Sequence, residues 1–206
     1  MPPTDLALLF DLGGVLVDVD LERAKGNLAH LLGTSPAAVD AGVFASGLKD
    51  GFDRGVLDAD AFLATLLERF PSPDPPSAGR LAVAWCDLFQ ERPEATRLLP
   101  ELAQRHALYV CSNTDPLHAG YILDSYPWSR HFQDAWLSFE AGVAKPDPAY
   151  FEGALAAFGL TPAGAVLLDD RAENIAAAAA LGLHTIHVTS RDAVAEGLRG
   201  LGAASP

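Results

Sequence analysis

Four short segments carry residues whose types could act together in catalysis. Asp11 follows the apolar run Leu6–Phe10 and precedes Leu-Gly-Gly, and Ser112-Asn113-Thr114 follows the apolar run at 108–111. Lys145 lies in GVAKPDP, and Asp169-Asp170 follows Val166-Leu167-Leu168. Singly, each is ordinary. A lone Asp after a strand is most often a turn or cap residue, and a lone Lys is most often a solvated charge. Asp115-Pro116 and Asp147-Pro148 read as helix N-caps with proline at the first helical position. The pair Asp169-Asp170 stands apart, because adjacent carboxylates behind an apolar strand repel each other unless they share a cation.

Taken together, the segments supply what transfer of a phosphoryl group to a carboxylate requires. Asp11 is placed to attack phosphorus and form an acyl-phosphate, which splits hydrolysis into two steps. A carboxylate and a phosphate dianion repel. Mg²⁺ held by Asp11, Asp170 and a backbone carbonyl would offset that repulsion, while Lys145, the Ser112 hydroxyl and loop N–H groups hold the remaining phosphate oxygens. Mg²⁺ suits such a site because it takes few carboxylates and keeps several waters.

The elements that must position these residues follow from the apolar pattern. Leu6–Phe10 is a short continuous run ending in Asp, as expected for a strand buried on both faces of a parallel sheet. From Leu21 to Arg92 the periodicity is helical, clearest over Leu21–Leu32, Asp58–Phe70 and Ser77–Phe89, with no strand expected between. Its prolines make PSPDPPS at 71–77 a loop. Beyond it, helix and strand alternate: helix Pro93–Arg105, strand at 108–111, helix Pro116–Tyr126, strand around Trp136 and helix Pro148–Phe158. Strand Val166–Leu168, helix Ala172–Leu181, strand Thr185–Val188 and a helix from Asp192 complete the series. Such alternation predicts an α/β fold, a Rossmann-like doubly wound parallel sheet with an inserted all-helical cap. The expected division is a core of residues 1–18 and 93–206 and a cap of residues 19–92, with the site in the cleft between them.

The net charge of −13 is spread along the chain and no Lys/Arg cluster occurs, so nucleic acid is not an expected partner. That field repels anions, and a phosphate site must be built locally from a metal ion, a Lys or backbone N–H groups. Cys86 and Cys111 have no paired spacing, which supports neither a disulfide framework nor a zinc site and fits a reducing cytoplasm. The first residues carry no basic segment before their short apolar run, so neither a signal peptide nor a membrane anchor is expected.

FDLGGVLVD, VCSNTD, GVAKPDPAYF and LLDDRAENIAAA resemble, in order and spacing, the four motifs of the haloacid-dehalogenase-like hydrolases, and the resemblance covers nearly the whole chain. It implies an Mg²⁺-dependent phosphomonoester hydrolase acting through an aspartyl-phosphate. Carried over by motif, it makes Asp11 nucleophile and metal ligand, Gly13 a metal ligand through its carbonyl, and Asp170 the direct metal ligand. Ser112 and Asn113 become phosphate-loop residues and Lys145 the phosphate-binding cation. Asp169 and Asn174 become groups behind the metal that orient its water; which of the two adjacent aspartates touches the ion stays open. The insertion looks like that superfamily's helical cap. More narrowly, DLGGVLVDVD, FDRGVLDADAF and SNTDPLH are similar to bacterial α-D-glucose-1-phosphate phosphatases. The expected partner is thus a small phosphorylated metabolite such as α-D-glucose 1-phosphate, with no nucleic acid, membrane or protein partner.

The sequence departs from the superfamily pattern at Gly13, where many members carry an Asp that protonates the leaving group. Such an acid contributes about 10²- to 10⁴-fold, so its loss favours a leaving oxygen that departs readily, as an anomeric oxygen does. Asp20 and His30 are candidate replacements, Asp18 is expected to be structural or gating, and His118 is expected to orient the phosphate loop. Cys111 is expected in the core; His106, His131, His184 and His187 attract no role. Two rivals share the fold: a 2-haloacid dehalogenase, which needs no metal and so leaves the Asp169-Asp170 pair unexplained, and a non-catalytic sugar-phosphate sensor.

Overall fold

The structure, a computed structural model, describes residues 6–202. Five parallel strands form one sheet in the order β5-β4-β1-β6-β7: β1 (Ala7–Phe10), β4 (Leu108–Ser112), β5 (Asp134–Leu137), β6 (Ala165–Asp169) and β7 (His184–His187). A separate antiparallel ribbon joins β2 (Val17–Val19) to β3 (Phe89–Glu91). Between the ribbon strands lie helices α1 (Leu21–Leu32), α2 (Pro36–Val39), α3 (Leu48–Asp53), α4 (Ala59–Arg69) and α5 (Ala78–Cys86), with a π-helical turn at Asp40–Phe44. The remaining helices belong with the sheet: α6 (Pro93–Thr96), α7 (Leu99–Leu102), α8 (Pro116–Ser125), α9 (Ser138–Ala141), α10 (Pro148–Phe158), α11 (Ala172–Ala180) and α12 (Ala193–Gly200).

The apolar run of β1 is continuous because both of its faces are covered. Leu8 and Phe10 join Val110, Leu168 and Ile186 in one cluster, while Leu9 joins Cys111, Tyr150, Leu167 and Ala178 in another. Full burial of each large apolar side chain contributes roughly 1.5–3 kcal/mol. The helical block has its own core of Leu28, Phe52, Phe62, Leu66, Leu81 and Trp85, with Phe52 stacked on Phe62 at 4.1 Å between centroids. Among the described residues, no helix is long and apolar enough to cross a membrane.

Three local expectations are corrected. The stretch from Leu21 to Arg92 does contain a strand, β3, whose three residues pair with β2 in the register Val17↔Glu91 and Val19↔Phe89. The helix expected over Ser77–Phe89 therefore stops at Cys86, where Asp87 leaves helical geometry at ψ 64°. The helix expected over Pro93–Arg105 is broken into α6 and α7, because Pro100 lacks the N–H that a continuous helix would need there.

Strand order places β1 at the centre: the chain runs outward through β4 and β5, then returns to β6 on the other side. The crevice beyond the carboxyl ends of β1, β4 and β6 is thus the topological switch point, where such sheets bind ligands.

Candidate active site

Asp11 is fixed as β1 ends. Its N–H donates to the Leu168 carbonyl at 3.0 Å, and its Oδ1 accepts from the Leu12 N–H at 2.7 Å. The buried Lys145 ammonium has three acceptors for its three protons: Asp11 Oδ2 at 3.0 Å, Asp169 Oδ2 at 2.6 Å and the Cys111 carbonyl at 2.8 Å. Burial alone would push that ammonium's pKa down, but the two carboxylates more than reverse the effect, so Lys145 remains charged. Burial pushes Asp11 up to about 6; Lys145 opposes this, Asp169 adds to it, and a Ser112 hydrogen bond opposes it again.

The backbone of Lys145 is clamped by Asn113, whose Nδ2 donates to the Lys145 carbonyl and whose Oδ1 accepts from the Lys145 N–H, each at 2.8 Å. The Asn113 side chain thus serves the lysine loop, while Ser112, 2% exposed, lies beside Asp11. Asp169 is fully buried. Its carboxylate accepts from Lys145, from Asn174 Nδ2 at 2.9 and 3.0 Å, and from the Arg171 N–H at 2.9 Å. Asn174 Oδ1, on the other side of that amide, is a buried acceptor with no donor among the described residues.

Asp170 differs from its neighbour. It is exposed, and burial of part of its surface, reinforced by Asp169, raises its pKa. Its carboxylate lies against the Asp11 loop: a Cβ on Gly14, whose φ is +70°, would fall 2.3 Å from Asp170 Oδ2. Only glycine allows both this backbone conformation and this approach. His187 Nε2 donates to the Asp170 carbonyl at 3.0 Å and ties the loop to β7.

Ligand oxygens of Asp11, Asp169 and Asp170 lie within 4.8 Å of one another, a group able to hold a metal ion. Three carboxylates face one ammonium, an excess of two negative charges that a divalent cation would cancel. All donors are hard oxygens, which suits Mg²⁺. Lys145 and Asn174 already occupy Asp169, which leaves Asp11 and Asp170 as the carboxylates with room for an ion. The unpaired Asn174 Oδ1 fits the same picture, since a metal-bound water is a donor.

Of the residues singled out from sequence, Asp11, Ser112, Asn113, Lys145, Asp169, Asp170 and Asn174 form this connected group, with Gly13 in the loop between Asp11 and Gly14. Asp20 instead caps α1, accepting from the Arg23 N–H at 3.0 Å. His30 lines a groove between α1 and α5 with Asn27, Ser77, Arg80 and Asp87. Asp18 pairs with Arg191 at 2.6 Å and Arg92 at 3.6 Å, bracing the ribbon. Asp147 caps α10, and Cys111 packs in the core.

Asp115 caps α8 through Oδ1, which accepts from the N–H groups of Leu117 and His118. It does more than the sequence suggested. Its Oδ2 accepts from Trp85 Nε1 at 3.2 Å and His118 Nδ1 at 2.8 Å, and lies 3.5 Å from Lys49 Nζ. His118 Nε2 in turn donates to the Trp85 carbonyl at 3.0 Å, so the loop after Ser112 is bound to α5 and α3 of the helical block. Ser138, also unmarked in the sequence, accepts from the Thr114 N–H at 2.9 Å. No sequence spacing announces Trp85, Lys49 or Ser138, because each reaches the loop only through tertiary packing.

Residues 6–182 match the haloacid dehalogenase-like hydrolase family. The D-ribitol-5-phosphate phosphatase of Bacteroides thetaiotaomicron is 25% identical over 190 residues, covering 86% of this chain and 89% of that protein. A sesquiterpene phosphatase of Aspergillus oryzae is 28% identical over 209 residues, with 98% of each chain covered. A haloacid dehalogenase family enzyme of B. thetaiotaomicron, crystallised with magnesium and inorganic phosphate, shares the fold at a TM-score of 0.79 and 24% identity over 88% of this chain and 93% of that one. With the parallel sheet and the cluster at its switch point in place, the match over most of its length shows that this chain belongs to the haloacid dehalogenase-like hydrolases.

Proposed function

We propose that this chain is a Mg²⁺-dependent phosphatase of small sugar or polyol phosphates, with Asp11 as nucleophile. The carrying observation is the Lys145 ammonium held between Asp11 and Asp169 while Asp170 lies in reach of the same loop with no ammonium of its own. Relatives along almost the whole chain named as phosphatases support this reading.

In this reading Asp11 Oδ2 attacks phosphorus, the bond to the leaving oxygen breaks, and the acyl-phosphate on Asp11 is then hydrolysed by water. Asp11, Asp170 and the Gly13 carbonyl would hold Mg²⁺, which when bound supplies positive charge between nucleophile and phosphate. As Asp11 engages phosphorus, Lys145 exchanges its contact with Asp11 for a phosphoryl oxygen. Ser112 and the loop N–H groups hold the others. Asp169 keeps Lys145 charged and aimed, and Asn174 orients Asp169 while offering Oδ1 to a water. Residues 19–92 act as the cap over residues 1–18 and 93–206.

Gly13 supplies no acid, and its Cα faces Val19: a Cβ there would lie 3.2 Å from Val19 Cγ2. The leaving oxygen must therefore depart readily or take its proton from water or substrate, which favours an anomeric ester such as α-D-glucose 1-phosphate. The test is phosphate release with Mg²⁺ or EDTA from α-glucose 1-phosphate, glucose 6-phosphate and ribitol 5-phosphate. Preference for the anomeric ester supports the leaving-group argument. Preference for a primary ester rejects that argument and keeps the phosphatase, whereas no metal-dependent release from any ester rejects both.

A further inference from the structure

Among the described residues, the chain joins helical block and sheet through the ribbon, and elsewhere the block docks by contact. One such contact lies where α3 meets α9. Gly55, at φ +69°, approaches so closely that a Cβ there would fall 2.0 Å from the Phe139 carbonyl oxygen. Beside it, Ser138 is fully buried and joins three groups. Its hydroxyl accepts from the Thr114 N–H at 2.9 Å and faces two carbonyls, Asp53 of the block at 2.6 Å and Thr114 of the phosphate loop at 3.1 Å.

A hydroxyl has one proton, and here it has two acceptors. With the block docked, the shorter contact gives that proton to Asp53. With the block displaced, the proton turns to the Thr114 carbonyl, so the buried hydroxyl keeps an acceptor in both arrangements. Its second lone pair holds the Thr114 N–H throughout. Docking therefore changes the bonding of Thr114, two residues beyond Ser112 and next to Asn113, which clamps Lys145. The Lys49–Asp115 pair crosses the same seam one residue further along the loop.

We propose that Ser138 is a positioning residue that couples docking of the helical block to the geometry of the 112–114 loop, and so to phosphate affinity; the last clause rests on the phosphatase reading.

The test uses the whole chain, inorganic phosphate with Mg²⁺ as probe, and hydrogen exchange of segments 48–56 and 110–118. Ser138→Ala removes the coupling hydroxyl; Gly55→Ala blocks docking without touching the loop. Both variants are expected to weaken phosphate about 10-fold, within the usual range for coupled sites, and to raise KM more than they lower kcat. Gly55→Ala is also expected to speed exchange in 110–118 without any ligand. If Ser138→Ala binds phosphate as wild type does, or if it weakens binding while Gly55→Ala leaves both phosphate and 110–118 unchanged, the coupling is wrong. Wild-type protein that neither binds nor releases phosphate overturns the phosphatase reading instead, and the ligand-free exchange comparison still decides the coupling.

Discussion

Asp11 and Asp115 are both buried carboxylates just beyond a strand end, yet they differ in what their surroundings leave unfinished. Around Asp115 every lone pair has a donor: two N–H groups on Oδ1, and Trp85, His118 and Lys49 on Oδ2. Burial there raises the carboxyl pKa, but His118 and Lys49 outweigh it and hold Asp115 at about 2. Around Asp11 the balance falls the other way. Burial and Asp169 lift it to about 6 against a single ammonium, with Asp170 adding a third carboxylate nearby. A saturated buried charge is a structural joint, whereas an under-neutralised one is a site prepared for a cation.

The sharpest way to break this contrast is to exchange the consequences. Asp11→Asn should lower turnover by at least about 10³-fold with unchanged urea midpoint, since a carboxamide cannot serve as the nucleophile; phosphate release and denaturation on one sample check both halves. Asp115→Ala should do the reverse, costing about 3–5 kcal/mol of unfolding free energy by stranding Lys49, His118 and the Trp85 N–H, with a loss of turnover in the remaining folded protein far smaller than that of Asp11→Asn.

The Asp115 contribution also has a sign in pH. Its folded pKa lies below the ordinary 3.8, so the stabilisation is complete above about pH 4 and is lost as pH falls through about 2, on the order of 2 kcal/mol in all. Urea midpoints of wild type and Asp115→Asn between pH 5 and 2 should converge; parallel curves would count against the assignment.

Smaller effects sharpen the same contrast. Asp170→Asn should raise the Mg²⁺ concentration needed for half-maximal release about 10-fold or more, while EDTA abolishes release and added Mg²⁺ restores it. Trp85→Phe keeps the ring on His118 but removes the N–H to Asp115, which should cost about 1 kcal/mol in a urea titration and leave KM for Mg²⁺ unchanged.

Legibility from sequence follows the same division. Within the under-neutralised cluster, Asp11, Ser112, Asp169 and Asp170 were readable because each lies at or just beyond a strand end, so the end of an apolar run points to the crevice: Phe10 to Asp11, Cys111 to Ser112, Leu168 to Asp169. Asp115 was readable only as a cap. Its second oxygen is satisfied from α3 and α5, 66 and 30 residues earlier, and no local pattern carries that information. The ribbon strands were missed because three residues are too short to show alternation, and β3 merges with the helical periodicity of α5 before it. Asn113 was expected as a phosphate-loop residue from its motif, but the pairing of its side chain with the Lys145 backbone, 32 residues away, carries no local signal.

The ribbon has a meaning for how such a protein can diversify. Val19 and Phe89 are partners in register, so the chain leaves the ribbon and returns to it at points one strand spacing apart, roughly 5 Å. Everything between them is, in topological terms, a cassette with adjoining ends, of the kind that tolerates replacement because its host needs no rerouting. A different insert could be spliced onto the same two strands and meet a new leaving group, while Asp11, Lys145, Asp169 and Asp170 stay where the sheet puts them.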